Sequence, residues 1–342
     1  MKSPSTIYLI TRTHGRRIHL LTPENVMAMS KSRSLLEIVD HLLRSDYAPE
    51  IGKLPTSEIN SVRLERIFLK TLVERFFTTV KDSNGKAQEF LERYAARIEV
   101  ENLKRILRAK HAQKEIQEDN LIPLEREQTL VNFPALIKAG NVEEVVSLLR
   151  ETAYASLGDR LDAYRRFGGP LVFESSLDGI YFDRLWEKMG GLPDYQGLKF
   201  LVGEEVDLRN LQLIFALKLR DVALRLIEEL PIRISYRLSR NTVSRLLQAG
   251  LEDAPGILAG TSYDDVAEEI FRKSKEPAID LETILARRLY KDASFALGNL
   301  FLDFGYIVAY LLLCEREARN LVTLATASDL KISDENLQRK IF

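Results

Sequence analysis

A long internal repeat constrains this chain more than any other feature. An acid, two variable residues, Asn-Leu and then an apolar residue three further on occur three times. The copies are Glu99-Val-Glu-Asn102-Leu103-Lys-Arg-Ile106, Asp207-Leu-Arg-Asn210-Leu211-Gln-Leu-Ile214 and Glu317-Ala-Arg-Asn320-Leu321-Val-Thr-Leu324. The asparagines lie 108 and 110 residues apart. A hydroxyl residue two before a tyrosine recurs in Ser45-Asp-Tyr47, Thr152-Ala-Tyr154 and Thr261-Ser-Tyr263, spaced 107 and 109. A third mark, a hydroxyl residue opening a helical pattern, falls at Thr22, Thr129 and Ser239, spaced 107 and 110. Three marks in one order, at matching intervals, identify a triplication with a period of about 109 that takes up nearly all 342 residues. Common solenoid units are only about 20–50 residues long, so each copy is expected to be a multi-helix lobe. The expected units are residues 1–118, 119–228 and 229–342.

Between the prolines, Leu, Ile and Ala recur at three- and four-residue spacing, which predicts an all-α fold. Leu103, Ile106 and Leu107 mark one buried helix face, matched by Leu211, Ile214 and Phe215 and by Leu321, Leu324 and Ala325. Strand candidates are limited to Thr6–Ile10 and Pro170–Phe173. Turn signals fall at Asp82-Ser-Asn-Gly85, Gly168-Gly-Pro170, Gly190-Gly-Leu-Pro193 and Glu276-Pro277. Three equivalent amides at Asn102, Asn210 and Asn320 could ring a ligand. A buried amide must be satisfied, however, and a bond to a neighbouring helix's backbone would fix packing in each lobe. Tyr47, Tyr154 and Tyr263 are read likewise as structural, each a large ring with a polar tip at the end of a helix packed on another.

Composition removes several function classes. With 49 Lys+Arg against 50 Asp+Glu there is no bulk electrostatic case for nucleic acid, an anionic membrane or an acidic substrate. A single cysteine, Cys314, excludes an intramolecular disulfide framework and fits a reducing compartment. Basic residues precede the first acid, Glu24, but no apolar stretch of secretory length follows Lys2. The 20-residue apolar run Phe295–Cys314 carries Asp303 near its middle and is read as a buried core helix, not a membrane span.

Asn84-Gly85-Lys86 lacks the flanking residues of a phosphate loop, and the four histidines show no metal-helix spacing. Cys314, at the end of an apolar stretch, reads as a small hydrophobe. Asp264, Asp265 and Glu268 could share a helix face and hold Mg²⁺ against a diphosphate, as in class I terpene synthases. The second motif of those enzymes has no counterpart: Asp329 then Ser333 ends on Leu337. An acidic first helical turn accounts for the three carboxylates.

Tyr8 followed by Arg12 and Leu20-Leu21-Thr22, the Leu-Leu-x-Ser-x-Tyr47 element, the thrice-repeated acid-x-x-Asn-Leu and the closing Glu315-Arg-Glu-Ala-Arg-Asn-Leu321 resemble the C subunit of A-type and V-type ATP synthases. That family is the counterpart of the d subunit of the eukaryotic V-ATPase. The resemblance covers nearly the whole chain, including the amphipathic ending Leu330–Leu337. It implies three helical lobes with pseudo-threefold symmetry forming a funnel. It also implies a rotor part that caps the membrane proteolipid ring, seats the D and F subunits of the central shaft and carries no catalytic residues or cofactor. Such a part sits peripherally on the cytoplasmic face of the membrane. The glycine joints at Gly168-Gly169 and Gly190-Gly191 and the acid Asp303 depart from the repeat. Two other readings stand beside this one: a helical scaffold outside any rotary complex, and a Mg²⁺-dependent prenyl-diphosphate enzyme.

Overall fold

The computed structural model describes residues 4–192, 195–220, 232–275, 280–332 and 337–342. Among the described residues every regular element is helical. In chain order, a first helix α1 (Pro4–Arg17) precedes three short ones, α2 (Pro23–Met29), α3 (Leu35–Leu42) and α4 (Ala48–Ile51). A long hairpin, α5 (Ser61–Lys81) and α6 (Gly85–His111), comes next. The short helices α7 (Phe133–Lys138), α8 (Val142–Leu148) and α9 (Leu161–Phe167) follow. The pattern repeats with hairpin α10 (Leu171–Met189) and α11 (Tyr195–Lys218), then α12 (Arg240–Gln248), α13 (Ala254–Leu258) and α14 (Asp264–Lys273). It ends with hairpin α15 (Leu281–Asn299) and α16 (Gly305–Leu330).

The short helices begin where side chains can accept orphan backbone N–H groups. Thr22 forms a capping box with Asn25 at α2, and Ser239 accepts from Thr242 N at α12. Thr129 does not open a helix. Asn132 caps α7 instead, and the Thr129 hydroxyl donates to Glu99 Oε2.

The long helices contact one another in a closed cycle. α5 packs on α6, α6 on α10, α10 on α11, α11 on α15, α15 on α16, and α16 back on α5. Each link of this cycle between hairpins joins the second helix of one to the first helix of the next, and α11 also packs directly on α16. Their shared core runs from Phe76, Phe90 and Tyr94 through Phe182, Leu198 and Leu201 to Phe304, Ile307 and Leu311. A second core lies beneath α12–α14, against Leu211 and Ile214 of α11. A third lies beneath α2–α4, against Leu321 and Leu324 of α16.

The hairpin turns gather at one end. Lys188 pairs with Glu89 at 3.0 Å, and Arg12 of α1 pairs with Asp82 at 3.1 Å. α11 and α16 start in close contact: a methyl group on Gly305 would lie 2.6 Å from the carbonyl carbon of Gly197. Gly168 ends α9 at φ 68°, a left-handed conformation that glycine adopts without strain.

Three sequence expectations need correction. Thr6–Ile10 is not a strand but part of α1, where Thr6, Leu9, Ile10 and Thr13 bury one helical face. Pro170–Phe173 is the start of α10, with Pro170 where its missing N–H costs nothing. The apolar run Phe295–Cys314 is not one helix: it ends α15, turns, and begins α16. Asp303 sits in that turn and accepts from Gly305 N at 2.6 Å, while Phe295, Phe301 and Leu302 are exposed. Among the described residues no helix is long and apolar enough to cross a membrane. The unit boundary at 228/229 and the turn signal Glu276-Pro277 lie outside the described residues, as does Ser333 of the terpene-synthase comparison.

Candidate functional site

The repeated acids and tyrosines form three equivalent seats. Tyr154 Oη donates to Glu99 Oε1 at 2.6 Å, Tyr263 Oη to Asp207 Oδ2 at 2.8 Å, and Tyr47 Oη to Glu317 Oε1 at 2.7 Å. Each acid also accepts a backbone N–H from the segment leading into a short-helix group. These donors are Leu130 N for Glu99 at 3.1 Å, Leu238 N for Asp207 at 2.8 Å, and Leu21 N for Glu317. The hydroxyl residue two before each tyrosine builds the turn. Ser45, Thr152 and Thr261 each donate at 2.7 Å to the carbonyl three residues earlier and accept from the tyrosine N–H. Sequence reasoning had both members of each pair but not their pairing; a buried donor and a buried acceptor recurring at one period was the available signal.

The asparagines act one turn further along. Asn102 Nδ2 donates to Ile122 O at 2.9 Å and Oδ1 accepts from Ile122 N at 2.8 Å. Asn210 makes the same two bonds with Ile232, at 3.2 and 2.7 Å, and Asn320 with Phe342, at 2.7 and 3.4 Å. The partner is therefore a non-helical segment, not the neighbouring helix that was expected. An extended segment offers its N–H and C=O to a side-chain amide, whereas a helix interior has already used both. Leu103, Leu211 and Leu321 are fully buried beside them.

Electrostatics separates the seats. Glu317 is paired with Arg75 at 2.6 Å, and Arg75 also reaches Asp46 at 3.1 Å. Glu99 has no ion pair among the described residues; its oxygens accept only from Tyr154, Thr129 and Leu130. Burial, then the adjacent carboxylate, pushes the Tyr154 and Tyr263 hydroxyls well above the usual range, so they remain donors.

The second halves of α6, α11 and α16 line a cleft of about 980 Å³, away from the hairpin turns. At its wall Arg97 joins all three helices, donating to Glu205 Oε2 at 2.6 Å and Glu315 Oε1 at 2.9 Å. Its guanidinium also lies 4.0 Å from the Tyr94 ring centroid and 3.1 Å from Tyr181 Oη. Lys104–Asp178 at 2.5 Å and Arg108–Glu174 at 2.8 Å add further pairs. These are matched charges that hold helices together, with no nucleophile and base in contact.

The remaining candidates are dispersed. Asp264 accepts from Gly260 N at 3.4 Å and Asp265 pairs with Arg288 at 3.0 Å, both from the first turn of α14. His14 lies 2.9 Å from Phe301 O, His19 3.2 Å from Asp46, and His111 3.0 Å from Tyr164 Oη. Cys314 is buried, which pushes its thiol up to about 12. Among the described residues no three His, Cys, Asp or Glu side chains are placed to hold a metal ion.

An all-helical chain of three clasped hairpins is thus joined by recurring buried polar contacts. The family described as ATP synthase (C/AC39) subunit matches residues 9–340, and this chain belongs to that family. A Methanobrevibacter smithii protein, named as the C subunit of an A-type ATP synthase, is 31% identical over 238 residues, 67% of this chain and 61% of that protein. Proteins of the same name from Pyrococcus horikoshii and Methanococcoides burtonii are 25% and 22% identical. Those matches cover 98% and 99% of this chain and 89% and 94% of theirs. The resemblance read from the repeated residues is borne out.

Proposed function

We propose that this chain is the central-stalk coupling part of a rotary A-type or V-type ATPase. It is non-catalytic, seats the D and F shaft subunits on the membrane proteolipid ring and transmits torque between them. In this reading residues 1–118, 119–228 and 229–342 are three related lobes about a pseudo-threefold axis, forming a funnel peripheral to the cytoplasmic face of the membrane. The observation that carries it is the closed cycle of six long helices, because a part under torque must resist twist without a free edge. Each tyrosine–acid seat joins two of these units, which supports a ring over a string of domains. The cleft at one end suits an inserted shaft. The other end, where Phe295, Phe301 and Leu302 are exposed, suits an apolar surface such as the ring's loops.

Affinity purification of the tagged chain from its own membranes in mild detergent tests the role. Recovery with a proteolipid ring and two shaft proteins supports it. Recovery of none of them, with the ATPase intact in the same extract, leaves a helical scaffold. Photo-cross-linkers at Phe301 and at Arg209, which lines the cleft, test the orientation, with the ring expected from the first and the shaft from the second.

A further inference from the structure

The middle seat differs from the other two in the residue that stands beside its acid. Three residues before the seat acid stand Ala96 in the first copy and Cys314 in the third, but Glu204 in the second. Residues three apart on a helix share a face, so Glu204 lies beside Asp207, and the Tyr263 hydroxyl bonded to Asp207 feels the charge of both carboxyl groups. Both acids are fully buried, at 0% exposure.

The bonding of this pair is lopsided. Asp207 Oδ2 accepts three bonds at 2.8 Å, from Tyr263 Oη, Arg237 N and Leu238 N, while Oδ1 has no hydrogen-bond partner. Glu204 Oε1 accepts from Arg237 Nη1 at 2.6 Å, while Oε2 has none. Arg237 is the only cation bonded to the pair among the described residues. Its side chain is 41% exposed and lies over the Phe200 and Tyr236 rings. From α15, Arg288 and Asp292 face the pair, but Arg288 is already held by Asp292 and Asp265, each at 3.0 Å. Among the described residues, the neutral hydroxyls of Tyr236 and Tyr263 are the other titratable groups that face the pair.

Two ionised carboxylates buried side by side against one half-exposed guanidinium would leave a negative charge in the core without full compensation, which burial strongly disfavours. A proton removes that charge and turns one of the two unpartnered buried carboxyl oxygens from an acceptor into a donor. We infer that Glu204 and Asp207 form a proton-binding site, retaining one proton between them in the folded protein at neutral pH. The proton belongs to the pair and not to either residue. The inference stands independently of the coupling role. Burial raises both carboxyl groups above their ordinary range, in keeping with it.

The sign of the pH dependence follows. In the unfolded chain both acids ionise above about pH 4, whereas the folded pair keeps its proton. The stability this contributes is full below that range and is lost as pH rises through the folded value.

The test is chemical unfolding of the full chain across this pH range, wild type against Glu204→Gln, a near-isosteric change that removes the second charge. One linked proton makes the wild-type unfolding constant rise about tenfold per pH unit relative to the variant. Parallel profiles overturn the inference. Infrared spectroscopy of folded wild type at neutral pH needs no variant: a buried carboxylic acid carbonyl band that disappears on unfolding is expected. Its absence overturns the inference even where Glu204→Gln fails to fold.

Discussion

Tyr47 and Glu317 stand 270 positions apart in the chain, and the tyrosine hydroxyl donates to the carboxylate at 2.7 Å in the core. The bond ties α2–α4, near the start of the chain, to the last long helix. Leu64 and Phe68 of α5 pack in the same core as Leu321 and Leu324 of α16, so apolar burial and the buried polar bond act on one contact.

The seats are chemically alike but electrostatically unequal, which orders their response to neutralisation. Glu317→Gln leaves the buried Arg75 guanidinium with Asp46 as its one remaining counter-ion among the described residues and is expected to cost about 3 kcal/mol. Glu99→Gln leaves no ion behind and should cost about 1 kcal/mol. Urea unfolding of the two variants measures both; equal losses would refute the assigned role of Arg75.

Asn210→Leu fills a similar volume but leaves the N–H and C=O of Ile232 unpaired. A loss of about 1–3 kcal/mol is expected. A wild-type melting curve for this variant would count against the amide as the clamp on that segment.

Where α11 and α16 start, backbone meets backbone. A Gly305→Ala methyl would lie 2.6 Å from the Gly197 carbonyl carbon and 2.9 Å from Leu198 N, so neither helix can yield by turning a side chain. We expect about 1–3 kcal/mol of destabilisation. Gly298→Ala, which meets nothing within 4 Å, serves as the control in the same calorimetric comparison.

Arg97→Met removes the cation shared by Glu205 and Glu315, and at neutral pH the expected cost is about 3–5 kcal/mol. Burial already raises the Glu315 carboxyl against the pull of Arg97, and without the arginine it rises further. The variant's deficit should therefore shrink as the solution is acidified and Glu315 takes up a proton, and grow as pH rises through its folded value. Thermal melts of both proteins across a pH series would reveal a constant deficit if this account were mistaken.

Much of the architecture was legible because Asn102, Asn210 and Asn320 recur with their flanking leucines at one long interval. Repetition reports the unit but not how units meet. Nothing in the sequence of Tyr154 says that its acceptor is Glu99, since burial supplies the need for a partner and only the fold supplies its identity. Thr6–Ile10 misled because a short run rich in β-branched residues favours a strand locally, whereas the buried spacing of Thr6, Leu9, Ile10 and Thr13 becomes decisive only against α1's neighbours. The run Phe295–Cys314 misled for a related reason. Apolar residues at a hairpin turn need not be core, and Asp303 marked the turn, not a buried defect. Glu204 was passed over because it stands outside the repeated marks, so no copy offered a comparison.

The cyclic arrangement of the seats has a mechanical consequence. In a linear array of domains, a pull on one end opens one junction after another, and the weakest sets the limit. Here each short-helix group hangs by its tyrosine from the long helix of a neighbouring hairpin, and the last long helix holds the first group. Shear applied around such a circuit is shared among the three seats, so it does not fall on one junction alone.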